Sequence, residues 1–127
     1  MSERTLHNCR ILVVEDEYML AEELHFELSD AGAIVLGPVG YIEDALDQAR
    51  SEQHIDGGIL DVNLGGEMIF PVADLLAQRG VPFVFTTGYD ASAIPSRFAE
   101  VVRCGKPINI RLVTQAIGRV IHELDGA

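Results

Sequence analysis

"GGILDVNLGGE" (Gly57–Glu67) ends a short apolar run on a carboxylate and then turns on a glycine pair. Ile59 and Leu60 read as the last residues of a buried strand, closed by Asp61. Gly65-Gly66 reads as a turn. Taken alone, Asp61 is a turn residue before those glycines. The reason for an acid at the end of such a strand has to come from elsewhere in the chain.

Outward from this stretch, apolar runs alternate with helix-like segments from end to end. Towards the N-terminus, "ILVV" (Ile11–Val14) is β-branched and ends on Glu15-Asp16. "YMLAEELHFELSDAG" places Leu20, Leu24 and Leu28 on one helical face, with Gly32 as its C-terminal stop. "AIVLGPV" follows as a strand, and a helix near Ile42–Glu52 carries Ala45, Leu46 and Ala49. Beyond Asp61, "FPVADLLAQRG" is a third helix ended by Gly80, and "PFVFTT" is a fourth strand. "AEVVRCG" reads as the fifth strand. "NIRLVTQAIGRVIHEL" is a long last helix aligning Ile110, Val113, Ile117, Ile121 and Leu124. Between the fourth and fifth strands, "GYDASAIPSRF" contains Pro95, so a helix of one or two turns or a loop is expected there. Five nearly continuous apolar strands alternating with helices predict an α/β fold, a doubly wound parallel sheet covered on both faces.

The 127 residues suit one domain, and a hydrophobic share of 48% is enough for a packed core at this size. A net charge of -11 leaves little to neutralise a row of phosphates, so no nucleic-acid partner is expected. Cys9 and Cys104 are too few and too far apart for a disulfide framework or a zinc site, and read as reduced thiols. "MSERTLHNCR" lacks the apolar run of a signal peptide, and no stretch reaches membrane-spanning length. A cytoplasmic protein with no membrane segment is the expectation.

In an open parallel sheet the carboxyl ends of the strands line one edge, where ligands bind. The first strand ends at Glu15-Asp16, the third at Asp61, the fourth at Thr86-Thr87 and the fifth near Lys106. Three carboxylates, two hydroxyls and one ammonium would therefore share an edge. Clustered carboxylates raise one another's pKa, and a divalent cation relieves the repulsion. An all-oxygen set favours a hard ion such as Mg²⁺, which keeps several waters and accepts phosphate oxygens. An aspartate beside such an ion is placed to attack a phosphoryl group.

The segments "VVEDE", "ILDVN", "TTG" and "GKP", in that order and on those strands, resemble the receiver domain of two-component response regulators from about Arg10 to Leu124. "PFVFTTGYD" is similar to a subgroup of stand-alone receivers, common in alphaproteobacteria, with an F-[AT]-T-G-Y motif. The resemblance implies a flavodoxin-like sheet of strand order 2-1-3-4-5 and a single receiver domain over residues 1–127. It implies Asp61 as phosphoacceptor, Asp16 as a direct Mg²⁺ ligand and Glu15 acting mainly through a metal-bound water. The backbone carbonyl of Asn63 would also face the metal. Thr87 would be the switch hydroxyl on a phosphoryl oxygen, and Lys106 the lysine that pairs with the phosphate, with a cis Lys106–Pro107 bond. The donor would be a histidine kinase or a histidine phosphotransfer protein, and the chain a phosphoprotein without substrate turnover. With the chain ending at Ala127, output is expected through a downstream protein partner or through a relay or sink role. The readout face, and a face for homodimers, would be the fourth helix, fifth strand and last helix, including Arg103, Arg111 and Arg119.

The sequence departs from the family at two positions. Arg103 stands where the family has an aromatic that turns inward with the threonine, and alternation puts it opposite Lys106. Glu15 replaces the commoner aspartate. Each functional residue also has a plainer reading. "EDE" could be a solvated turn at a helix N-terminus, Thr86 and Thr87 ordinary strand residues, and Lys106-Pro107 simply the start of the last helix. His7, His25, His54 and His122 lack metal-ligand spacing and read as surface residues. Met19, Met68 and Phe70 read as core or rim. Tyr89 is either a shield for a phosphoryl group or a loop tyrosine packed on the surface. Two rival functions remain. An aspartate-nucleophile phosphatase of the haloacid dehalogenase type needs a DxD at its first strand, which "EDE" does not supply. A pseudo-receiver docking module would ignore beryllofluoride and Mg²⁺.

Overall fold

A computed structural model describes residues 6–88 and 94–126, with side chains described as far as Glu123. β1 (Arg10–Val14), β2 (Ile34–Val39), β3 (Gly57–Asp61), β4 (Phe83–Thr87) and β5 (Arg103–Gly105) form one sheet in the order β2-β1-β3-β4-β5. Every pairing in it is parallel. The expected doubly wound, flavodoxin-like order is what the chain adopts. A two-stranded antiparallel hairpin, Asn63–Leu64 with Glu67–Met68, stands apart from the sheet just beyond Asp61.

Alternation along each strand divides the core in two. Ile11, Val13, Ile59 and Val84 face α1 (Tyr18–Asp30) and α4 (Ile110–Gly126), packing on Leu24, Leu28, Val113, Ile117 and Ile121. Leu12, Val14, Leu60, Phe83 and Phe85 face α2 (Ile42–Ser51) and α3 (Phe70–Gln78), packing on Ala45, Ala49, Val72 and Leu76. Both faces of the central strands are dry, which explains their unbroken apolar runs. Glycine at the entry of β3 is a packing requirement. A Cβ on Gly57 would sit 2.8 Å from Ile121 Cδ1 of α4, and one on Gly58 would sit 3.0 Å from Leu76 Cδ1 of α3.

Leu20 is half-buried, whereas Leu24 and Leu28 are fully buried. Gly32 and Gly80 follow α1 and α3 at φ of +95° and +72°, the left-handed stop that glycine favours. Both Lys106–Pro107, as expected, and Gly37–Pro38 are cis. The second lies in edge strand β2, where a missing N–H is tolerated and the register with β1 shifts. One element is shorter than the sequence predicts: β5 holds only Arg103–Gly105, because Phe98 and Ala99 complete a 3₁₀ turn (Ser96–Phe98), the short helix expected between β4 and β5. Among the described residues no helix is long and apolar enough to cross a membrane.

Candidate functional site

Glu15 follows β1 and is held there by its own backbone, whose N–H donates to the Val39 carbonyl at 2.9 Å. Asp61 ends β3, flanked on β4 by its register partner Thr86. Lys106 follows edge strand β5, and its N–H donates to the Thr87 carbonyl at 2.9 Å. The sheet order thus brings together side chains that lie far apart in sequence. Lys106 Nζ donates to Asp61 Oδ2 at 3.0 Å and lies 3.6 Å from Glu15 Oε2. Oxygens of Glu15, Asp16 and Asp61 lie within 4.8 Å of one another, a set that could hold a metal ion. Glu15, Asp61, Thr86 and Thr87 are buried, while Asp16 is exposed at the mouth.

The hairpin after Asp61 shapes the open side. The Asn63 N–H donates to Asp61 Oδ1 at 3.2 Å, and the Gly66 N–H donates to Asn63 Oδ1 at 2.7 Å. Gly65 and Gly66 take φ of +57° and +98°, which L side chains rarely adopt, and let the loop fold back towards Asp16. A shallow cavity of about 410 Å³ results, lined by Asp61, Asn63, Gly65, Gly66, Gly88 and Lys106.

The electrostatics follow from crowding. Burial, with the adjacent Asp61 charge, raises the Glu15 carboxyl from 4.5 to about 7, against the opposing pull of the Glu17 N–H and Lys106. The Glu17 N–H donates to Glu15 Oε2 at 3.1 Å. Burial alone would lower Lys106. The hydrogen bond and charge of Asp61, with the charges of Glu15 and Glu17, outweigh it and raise the lysine instead. Glu15 Oε1 is buried with no hydrogen-bond partner among the described residues. A hard cation or its water satisfies such an oxygen, and all the carboxylate donors nearby are oxygens, so the residues fit Mg²⁺.

Every residue expected at this edge is there, and Thr86 and Thr87 both end β4 beside it. Tyr89 lies outside the described residues. The four histidines are exposed, and Cys9 and Cys104 are half-buried. The expected readout face needs correction. Arg103 is exposed on β5, but Arg111 and Arg119 border a groove between α1 and α4 together with Glu27 and Asp30. The helical turn of α4 points them at α1, away from Arg103. The sequence reading also missed an apolar patch on α1. Tyr18 (73% exposed), Met19 (73%) and Phe26 (74%) face solvent and, with Ile110, line a groove rimmed by Glu22, Glu23 and Glu27. Their spacing of one and seven residues, off the Leu24–Leu28 stripe, was the available signal.

The sequence matches no family model and no curated protein. Solved structures do match. SdrG from Sphingomonas melonis Fr1 is 35% identical, with 98% of each chain covered and a TM-score of 0.73. A BeF3-activated conformation of SdrG, from Pseudomonas melonis Fr1, is 36% identical over 95% of this chain and 99% of that one, at a TM-score of 0.72. The non-phosphorylated HemR receiver domain from Leptospira biflexa is 26% identical over 90% of this chain and 94% of that one (TM-score 0.78). A response regulator receiver protein from Sinorhizobium medicae WSM419 shares the fold at 22% identity, over 94% and 98% (TM-score 0.79).

Proposed function

Because this chain belongs to the response regulator receiver domains of two-component signalling, we propose that Asp61 accepts a phosphoryl group from a phosphohistidine donor. The observation that carries this reading is the Glu15–Asp61–Lys106 cluster, with its orphaned Glu15 oxygen, at the carboxyl edge of the sheet. An Asp61 carboxylate oxygen attacks phosphorus, a P–O bond forms as the P–N bond breaks, and the departing imidazole keeps the bonding pair. Lys106 already touches Asp61 and turns to the transferred oxygens as their charge grows. Asp16, Glu15, Asp61 and the Asn63 carbonyl would hold Mg²⁺, which when bound neutralises the carboxylates and the phosphoryl oxygens.

The added group carries close to two negative charges. Thr87 and Lys106 bind it, and those contacts favour one arrangement of the loops after β3 and β4. Driving such an equilibrium from mostly off to mostly on takes roughly 5 kcal/mol of differential stabilisation. The domain spans residues 1–127, with its core over about 10–124, and performs no turnover beyond its own phosphorylation and dephosphorylation. Its location is cytoplasmic, and it reads no nucleic acid. The donor, a histidine kinase or histidine phosphotransfer protein, seats an apolar stripe with basic flanks on Tyr18, Met19 and Phe26, whose rim is acidic. A downstream protein reads the exposed Val102–Arg103 edge.

The test is incubation with acetyl phosphate and Mg²⁺ followed by intact mass. One alkali-labile phosphoryl adduct is expected, absent in Asp61→Asn. Persistence of the adduct in that variant would refute the assignment of the acceptor.

A further inference from the structure

The segment that leads from the 3₁₀ turn into β5 is clasped to α3 by side chains that the phosphoryl chemistry does not use. Arg97 Nε and Nη2 donate to Asp74 Oδ1 and Oδ2, each at 2.9 Å. The same guanidinium lies 4.7 Å from the centre of the Phe98 ring. Both partners are about half exposed, but the fork is bidentate, the geometry in which a guanidinium holds a carboxylate best. Its hydrogen bonds lower the Asp74 carboxyl and raise Arg97.

Phe98, next to the fork, is buried against Phe70, Phe83 and Phe85, with ring centres 5.8, 6.0 and 5.6 Å away. Phe85 lies two residues before Thr87 on β4, and therefore on the same face. Phe70 opens α3, directly after the hairpin that leaves Asp61. The turn is thus joined by packed rings to both segments that carry the site. Arg103, at the position where an inward-turning aromatic would couple the switch, is exposed and packs no ring there.

Resting on the receiver reading of the site, we propose that the Arg97–Asp74 fork is a latch holding the 3₁₀ turn on α3 in the unphosphorylated arrangement, so that it opposes the switch. When Thr87 is drawn towards a phosphoryl group on Asp61, the end of β4 moves. Close-packed rings do not deform smoothly, so Phe85 pushes Phe98 and its turn as a unit. The fork resists that displacement. A solvent-screened pair biases the equilibrium only modestly, by roughly two- to fivefold.

The experiment titrates the full chain with beryllofluoride and Mg²⁺, followed by NMR. It also records hydrogen exchange at the Phe98, Ala99 and Val101 amides, which donate to the carbonyls of Pro95, Ser96 and Phe98. Arg97→Gln and Asp74→Asn should bind beryllofluoride roughly two- to fivefold more tightly and exchange those amides faster beforehand. The reversed pair, Arg97→Asp with Asp74→Arg, should restore both. Unchanged affinity and exchange would overturn the latch, as would weaker binding in the single variants or no restoration in the reversed pair. Wild-type binding with unaltered variants removes the latch alone. A wild type that fails to bind removes the receiver reading and the latch with it.

Discussion

Glu15 and Asp61 stand at the ends of β1 and β3, strands paired on both sides and buried on both faces, while Lys106 follows an edge strand β5 only three residues long, beside Thr87 at the end of β4. α1 backs the acidic half, and α4 runs across β3 and β4 on the same face. The other half is flanked by one 3₁₀ turn held by a ring cluster and a surface fork. The two halves carry different tasks. A metal and phosphate site needs fixed carboxylates, and a switch needs an element whose alternative packing costs little.

The largest effect is expected at Phe98. Its burial against three other rings makes Phe98→Ala cost about 3–5 kcal/mol of unfolding free energy. Urea denaturation checks this, and a loss below about 1 kcal/mol would mean the turn barely packs. Lys106→Met comes next. Phosphorylation by acetyl phosphate should slow about a hundredfold, the scale for losing one donor to a developing charge. Stopped-flow rates that match the wild type would place the lysine outside the chemistry.

The acidic half has a pH signature. Glu15 is raised in the fold from 4.5 to about 7, so its contribution is full below 4.5 and is lost as pH rises through 7. In chelator, the wild type should lose about 2 kcal/mol relative to Glu15→Gln between pH 4 and 8, after allowance for solvent screening. Parallel stability curves for the two proteins would contradict the burial of that charge. The smallest effect expected is on α1. Phe26→Ala should leave stability within about 0.5 kcal/mol, since the ring is 74% exposed. It should slow transfer from a protein phosphodonor several-fold and leave the acetyl phosphate rate alone. Equal slowing with both donors would mean that Phe26 serves the site and not the partner.

The acidic half was legible because its signal is local. An apolar strand ending on an acid needs only alternation and strand order to find its place, and Glu15, Asp16 and Asp61 all fell where those rules put them. The other half was less so. Pro95 announced an interrupted helix, but the length of β5 depends on Phe98 being drawn into a ring cluster, a tertiary matter. Arg111 and Arg119 were placed on the wrong side because a helix carrying two arginines does not say which neighbour it will meet. Only the packing of α3 and α4 shows why Gly57 and Gly58, at the entry of β3, both lack side chains.

Borohydride reduction of the phosphorylated protein followed by peptide mapping tests the central claim most directly, since it converts an aspartyl phosphate into homoserine. Homoserine is expected at position 61 alone, appearing only with phosphodonor and Mg²⁺. Homoserine at position 16, or no converted residue under conditions that phosphorylate a control receiver, would contradict it.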